Sequence, residues 1–174
     1  MSEDELLSHA ISTGDMSAFS ALVRMYQGRV RGFLLRMTRG DHALADDLAQ
    51  ETFLEAWRKI GQFRNDGPFS GWLFRIAWSR FLMTARKRKL ESLDETMEIA
   101  SGTETDSDTK LTLEAAMAKL APAERAVLTL CGALGYSNAE AAGILSMPVG
   151  TVKSHVSRGR ERLHKLFYGT EANT

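Results

Sequence analysis

The chain has 174 residues, 44% of them hydrophobic and 25% charged, which is typical of a soluble globular protein. The formal net charge is zero, and one cysteine, Cys131, excludes an internal disulfide framework and fits the reducing cytoplasm. Because the chain has no apolar run near about 18 residues and starts with an acidic segment, we expect neither membrane insertion nor a secretory signal.

The zero net charge conceals alternating basic and acidic segments. Residues 61–90 carry seven Lys/Arg against one Asp/Glu, residues 91–118 carry one against eight, and residues 119–174 carry seven against four. Attraction to a polyanion depends on the local potential rather than on the total charge. The composition is therefore compatible with nucleic-acid binding.

Hydrophobic spacing predicts an all-helical N-terminal part. Its elements are helices within 3–36 broken at 12–15, a turn at 39–43, a helix at about 43–60, a loop at 63–71 and a helix from 72 to about 88. The loop is predicted because Asn-Asp-Gly-Pro does not fit inside a helix or a central strand.

The remainder of the chain divides into an acidic linker and a second helical part. Residues 91–110 are rich in Ser, Thr and acidic residues and too poor in apolar groups to form a core. Helical spacing resumes near residue 111, and no stretch alternates as a strand would. The predicted fold is all-α: an N-terminal helical bundle (1–90), a flexible acidic linker (91–110) and a C-terminal helix-turn-helix domain (111–174), with the packing of the two domains left open.

The C-terminal part has the layout of a helix-turn-helix. Ser137 and Glu140 form a capping-box pattern at the start of one helix. Ala142 is small where the two helices cross, and Pro148 suits the first turn of the next helix. That next helix places Ser154, Arg158 and Arg162 four residues apart, with Lys153 beside them and apolar residues on its other side. This division suits a helix in the DNA major groove, and the alternative is an ordinary solvated basic face.

Two surfaces of the N-terminal part are also candidates. Asp47, Gln50, Glu51 and Leu54 share one face of the 43–60 helix, which alone would pass for a solvated acidic face. The following helix interleaves Trp72, Phe74 and Trp78 with cations, as suits stacking on unpaired bases. The alternative is that the apolar and aromatic residues of this helix belong to the core. We expect this for Leu73, Ile76, Ala77 and Phe81, but not for all three of Trp72, Phe74 and Trp78.

Together the motifs resemble one family. The segments "GDMSAFSALVRMYQGRV", "DDLAQETFLEAWRKIGQFR", "FSGWLFRIA" and "LAPAERAVLTL…GYSNAEAAGILSMPVGTVKSHVSRGRERL" are similar, in order, to the signatures of bacterial sigma-70 family transcription initiation factors of the small extracytoplasmic-function (ECF) group. The resemblance covers about residues 5–166 apart from the linker.

The resemblance implies a sigma factor that binds core RNA polymerase and reads the −10 and −35 promoter elements. The core polymerase, through its β′ clamp helices and β flap, would be one partner, with contacts from Asp47, Gln50, Glu51 and Leu54. The loop 63–69 and the helix behind it would capture a flipped −10 base and separate the strands. This implies −10 contacts from Arg64, Asn65, Trp72, Arg75, Trp78, Ser79, Arg80, Arg86, Lys87 and Arg88. The last helix would read the −35 element through Lys153, Ser154, His155, Arg158 and Arg162. The acidic linker would thread the polymerase's nucleic-acid channel, and an anti-sigma factor would hold the protein inactive.

Four positions depart from the family's usual pattern. Ser79 stands where Asn is common, His155 where Arg or a similar residue is common, and Ser146 where Gly is usual in the turn. Gly159 lies inside the last helix where Ala is common, at an expected cost of roughly 0.5–1 kcal/mol. These departures affect which promoter sequence we expect the protein to read. They do not change the expected class of function.

Two rival functions fit the sequence less well. A self-sufficient helix-turn-helix regulator would need a receiver domain or ligand pocket ahead of "GTVKSHV", and residues 1–90 predict neither. An enzyme would need a catalytic or cofactor site. The four histidines have no partner at metal-ligand spacing, and neither a phosphate loop nor a nucleophile motif is present. We therefore expect no catalysis, no cofactor and no metal.

Overall fold

The computed structural model describes residues 1–94 and 112–169, and every regular element in these ranges is helical. The helices are α1 (Glu3–Thr13), α2 (Met16–Met37), α3 (His42–Lys59), α4 (Phe69–Asp94), α5 (Leu113–Ala118), α6 (Pro122–Leu128), α7 (Asn138–Leu145) and α8 (Val149–Tyr168). A 3₁₀ turn, Ile60–Gln62, follows α3, and a π-helical turn, Thr129–Ala133, follows α6. The predicted all-α fold is confirmed.

Polar side chains define the start of the first three helices. Ser2 and Glu5 form a reciprocal capping box at α1. The carboxylates of Asp15 and Asp41 accept backbone N–H groups in the first turns of α2 and α3. Gly14, in the left-handed region at φ 66°, ends α1 and allows the sharp break that was predicted at residues 12–15.

Helix α2 lies at the centre of the N-terminal module, defined here as residues 1–94. Its apolar stripe runs from Ala18 to Met37 and is buried against α1, α3 and α4. Phe33 packs edge-to-face on Phe74 of α4, with ring centroids 5.4 Å apart. The helical spacing of apolar residues thus sets the core of this module.

Helix α4 is longer than its sequence pattern predicts. It begins at Phe69, directly after Pro68, and continues to Asp94, which lies inside the segment assigned to the linker. The remaining part of the predicted linker, residues 95–110, lies outside the described residues.

The C-terminal module, residues 112–169, is built around α6, α7 and α8. Helix α8 packs on both α6 and α7, and Val152 is fully buried at this junction. The module also lies against the N-terminal module, since α7 packs on α4 while α5 and α6 pack on α2. Within the described ranges, no helix has both the length and the apolar character to cross a bilayer.

Candidate nucleic-acid interface

The turn between α7 and α8 holds a strained residue. Ser137 accepts the N–H of Glu140, and Glu140 accepts the N–H of Ser137, so the predicted capping box is present. Ser146 ends α7 in the left-handed region at φ 53°. That conformation disfavours side chains other than Gly and Asn, which explains why glycine is common in such turns. Pro148 occupies the N-cap position of α8, one residue before the helix begins at Val149, and makes no side-chain cap hydrogen bond.

Helix α8 presents a polar and cationic face to solvent near its N-terminus. Lys153, Ser154 and Arg158 are exposed, while Val152 is buried on the opposite side. The Ser154 hydroxyl donates to the Gly150 carbonyl at 3.0 Å, which fixes the side chain along the helix. The arrangement is a helix with one side anchored in its module and the other side available to a groove.

Two of the residues assigned to this face are oriented differently. Arg162 places Nη1 3.4 Å from Oε2 of Glu124, a buried residue of α6, so its side chain reaches back to its own module. His155 is half-buried, and its Nδ1 is buried without a hydrogen-bond partner in the described chain. Sequence reasoning missed Glu124 because it lies on another helix.

The close approach of α6 and α8 explains Gly159. A Cβ atom at this position would lie 2.8 Å from Cδ1 of Leu128 and 3.5 Å from Cβ of Glu124. The sequence showed only the loss of helix propensity at Gly159, whereas the structure shows that the missing side chain also lets α6 and α8 pack closely.

The loop before α4 carries an aromatic cluster. The rings of Phe63, Phe69 and Trp72 lie 5.3–5.6 Å apart from centroid to centroid. Phe69 is buried, whereas Phe63 and Trp72 remain half-buried. Arg64 and Asn65 are exposed beside them, and Asn65 holds a positive φ of 58°. A cleft of about 460 Å³ lies between this loop and α7.

The predicted aromatic surface on α4 is smaller than expected. Trp78 is only 6% exposed and stacks on Phe81 with centroids 5.6 Å apart, and Phe74 is 1% exposed. Both belong to the hydrophobic core, where Phe74 packs on Phe33 of α2 and on Tyr136. Trp78 therefore cannot contact DNA in this conformation, and Trp72 alone of the three is accessible.

The cations of α4 fall into two groups. Arg75, Arg86, Lys87, Arg88 and Lys89 are exposed, as is Ser79. Arg80 instead forms an ion pair with Glu55 of α3, which Lys59 also contacts. Burial opposes the charge on Glu55, but hydrogen bonds from Lys59 and Arg80 outweigh it and hold the pKa of this carboxyl below its usual value. No local pattern predicts this pair, because Glu55 and Arg80 are 25 positions apart.

A groove between α2 and α3 runs beside the acidic face of α3. Its volume is about 590 Å³, and its walls are largely apolar. The lining includes Phe19, Val23, Gln50, Leu54 and Trp57. Leu54 is 48% exposed, unusual for a large aliphatic residue, and Asp47 and Glu51 are exposed on the same helix. The groove combines an apolar floor with polar edges, as surfaces that accept a partner helix do.

The described residues hold no group of three or more His, Cys, Asp or Glu side chains suited to a metal ion. The three surfaces described above offer positive charge, aromatic rings and apolar side chains. Such surfaces suit a binding protein that contacts both nucleic acid and another protein.

Comparison with known proteins identifies the family. Residues 22–91 match the family model for sigma-70 region 2, and residues 110–163 match the model for sigma-70 region 4. The RNA polymerase sigma-H factor of Pseudomonas aeruginosa is 33% identical over 182 residues, covering 95% of this chain and 94% of that protein. The ECF RNA polymerase sigma factor SigW of Bacillus subtilis is 32% identical over 172 residues, covering 89% and 91%. The chain belongs to the ECF group of the sigma-70 family.

A solved structure supports the same assignment. The sigma factor RpoE of Bartonella quintana, in complex with the anti-sigma factor NepR, is 31% identical to this sigma factor with a TM-score of 0.75. The match covers 88% of this chain and 98% of that one. The protein is accordingly a transcription initiation factor, and both its N-terminal and C-terminal modules correspond to matched sigma regions.

Proposed function

We propose that this sigma factor directs core RNA polymerase to promoters by dividing the work among three surfaces. The exposed side of α8 reads the −35 element. The loop 63–69 and the accessible side of α4 capture the −10 element. The groove between α2 and α3 receives the polymerase. The observation that carries the proposal is α8, whose cationic side is exposed while its other side is buried in its own module.

The −35 contact rests on chemistry that duplex DNA requires. Lys153 and Arg158 supply cationic donors for phosphates and guanine edges, and Ser154 supplies a short polar contact near the helix start. Arg162 supports this surface indirectly, since it pairs with Glu124. His155 lies at the edge of the face and adjusts base preference through contacts of its partly buried ring.

The −10 contact rests on the aromatic cluster. Trp72 and Phe63 offer ring surfaces next to the exposed Arg64 and Asn65, a combination that suits a base removed from the stack. Arg75, Ser79 and the cations Arg86, Lys87 and Arg88 continue along α4 and follow the phosphate backbone of the separated strand. Arg80 positions α4 against α3 through Glu55.

The polymerase contact rests on the groove. An amphipathic helix of the polymerase, such as those of the β′ clamp, places apolar residues on Leu54 and the groove floor. Asp47, Gln50 and Glu51 then meet polar or basic residues at the rim. The β flap contacts the C-terminal module.

We infer the regulation of this chain and its place in the cell from the family to which it belongs. The similar sigma factor RpoE was solved with an anti-sigma factor, which supports a regulator of that kind for this chain. The protein acts in the cytoplasm, where the polymerase works, and it contributes binding energy rather than catalysis, without a cofactor.

A reconstituted transcription assay tests the proposal. Core RNA polymerase, with and without the purified chain, is offered a library of promoter fragments, and run-off transcripts are sequenced. We expect chain-dependent transcripts whose upstream DNA shares two elements at fixed spacing. Tight, specific duplex binding by the chain alone, with no polymerase-dependent initiation, would instead indicate a stand-alone regulator.

A further inference from the structure

Helix α2 begins with an exposed methionine that lines the α2–α3 groove. Met16 is 61% exposed and forms part of the groove wall together with Phe19, Leu54 and Trp57. Met16 and Phe19 are three residues apart and therefore share one face of α2. The rings of Phe19 and Trp57 pack with centroids 5.0 Å apart. The groove thus offers a thioether next to an aromatic floor.

Among the methionines of the described chain, Met16 combines exposure to solvent with a place in the groove. Met25 and Met83 are also exposed, but they are not among the residues that line the groove. Met37 and Met117 are buried. An oxidant in solution can therefore reach Met16, Met25 and Met83, and of these three Met16 belongs to the surface assigned to the polymerase.

Oxidation of Met16 would change the chemistry of this surface without removing a core contact. Hydrogen peroxide transfers one oxygen atom to a thioether: a sulfur–oxygen bond forms, the oxygen–oxygen bond breaks, and water leaves. The sulfur is oxidised by two electrons and the peroxide is reduced. The product, methionine sulfoxide, is polar where the thioether was apolar. Because Met16 is mostly exposed in the free chain, the new oxygen stays hydrated there.

The added oxygen becomes unfavourable when a partner covers the groove. An apolar partner helix removes water from the sulfoxide, and a polar group that is buried without a hydrogen bond destabilises the complex. The unmodified thioether, by contrast, is flexible and polarisable and packs well against apolar side chains. The same oxygen atom is therefore tolerated by the free sigma factor and weakens its complex with the polymerase.

We propose that Met16 is an oxidation site that controls assembly with the polymerase, with peroxides as the oxidant and methionine sulfoxide as the inhibitory form. The inference rests on the proposed function, because the groove must be the polymerase surface for the modification to act. A methionine sulfoxide reductase reverses the change by oxidising two thiols to a disulfide with release of water, so the modification is reversible.

The half-buried Cys131 does not account for such a response. It lies in the C-terminal module, whereas the groove belongs to the N-terminal module. Burial also raises the pKa of its thiol, which disfavours the reactive thiolate. Replacing it in the test removes any contribution from thiol oxidation.

Graded oxidation of the full chain tests the site. The Cys131→Ser chain is treated with hydrogen peroxide, peptide mass spectrometry locates each added oxygen, and polymerase affinity is measured before and after treatment. We expect oxygen on Met16, Met25 and Met83, and a polymerase affinity at least about fivefold weaker. Reductases for the two sulfoxide epimers should restore the affinity. Absence of oxygen on Met16, or an unchanged affinity once Met16 is oxidised, overturns the inference.

Matched variants assign the effect to one residue. In the same Cys131→Ser background, Met16→Leu removes the oxidisable sulfur and keeps an apolar side chain, so peroxide should no longer change its polymerase affinity. Met25→Leu, on the same helix but outside the groove, should lose as much affinity on oxidation as the parent chain does. A peroxide effect that persists in Met16→Leu overturns the inference.

Untreated protein separates failure of this inference from failure of the proposed function. If the untreated chain binds the polymerase and Leu54→Glu weakens that binding, the groove is the polymerase surface, and the peroxide result alone decides the role of Met16. If Leu54→Glu binds as tightly as wild type, the proposed role of the groove is wrong, and the inference fails with it.

Discussion

Arg162 Nη1 of α8 lies 3.4 Å from Oε2 of Glu124, which is 3% exposed on α6. The pair ties the C-terminal half of the proposed recognition helix to its own module. In the sequence, Arg162 looks like a DNA contact. In the structure, its pairing with Glu124 gives it a role in holding α8 at its angle.

Arg162→Ala should lower the free energy of unfolding by about 1 kcal/mol. Glu124 would keep its buried carboxylate but lose its cation, although the exposure of Arg162 limits the effect. Urea denaturation measures the change. Arg160→Ala removes an exposed arginine of the same helix and should change stability by less than about 0.5 kcal/mol. Equal effects of the two variants would show that the pair does not contribute.

Ser146→Gly should stabilise the protein by roughly 1 kcal/mol. The residue holds φ 53°, where glycine is unstrained and serine is not. Ser157→Gly, at an exposed position inside α8, should instead destabilise by about 0.5 kcal/mol because glycine is a poor helix former. Thermal unfolding of both variants gives the comparison, and a loss of stability at both positions would contradict the strain at Ser146.

Two substitutions, Gly150→Ala and Gly159→Ala, distinguish the effect of helix propensity on stability from the effect of packing. Both glycines are in α8, but a Cβ meets nothing within 4 Å at Gly150, whereas at Gly159 it meets Leu128 at 2.8 Å. We expect a gain of up to about 1 kcal/mol at Gly150 and a smaller gain or a loss at Gly159. Chemical denaturation checks this, and a larger gain at Gly159 would refute the close approach of α6 and α8.

Glu55→Gln should make stability less dependent on pH in acid. Since the pKa of Glu55 is lowered on folding, its contribution is present above the unfolded value of 4.5 and is lost as pH falls through the folded value. The variant lacks this contribution, so its unfolding free energy should fall less steeply below about pH 4.5. Denaturation at a series of pH values is the measurement. Glu51→Gln, an exposed position on the same helix, controls for the lost charge, and identical slopes for wild type and Glu55→Gln would contradict the prediction.

Sequence patterns that act over a few residues predicted much of this structure. The apolar stripe of α2, the capping box at Ser137 and the break near Gly14 depend on neighbouring residues, and each is present. Helical spacing did not reveal which side of α4 faces the core, so Trp78 was assigned to DNA although it is buried. The cause is that an aromatic residue beside cations suits both a core and a stacking surface.

Contacts between distant positions had no signal in the sequence. Arg80 pairs with Glu55, and Arg125 reaches Met37, 88 positions away. These contacts depend on how helices pack, which composition and periodicity do not encode. For the same reason the contact between the two modules could not be predicted.

The central claim is that α8 contacts promoter DNA while the α2–α3 groove contacts the polymerase. It is tested most directly by measuring polymerase affinity and initiation in parallel for two variants. Arg158→Ala removes an exposed cation of α8, and Leu54→Glu places a charge in the groove, where the leucine is 48% exposed. Arg158→Ala should reduce initiation from promoters with an intact −35 element at least about tenfold, the loss of about one good base contact, with polymerase affinity unchanged. Leu54→Glu should weaken polymerase affinity by a similar factor, and saturating protein should restore initiation. Loss of both polymerase affinity and initiation in Arg158→Ala would contradict the assignment of α8 to promoter DNA.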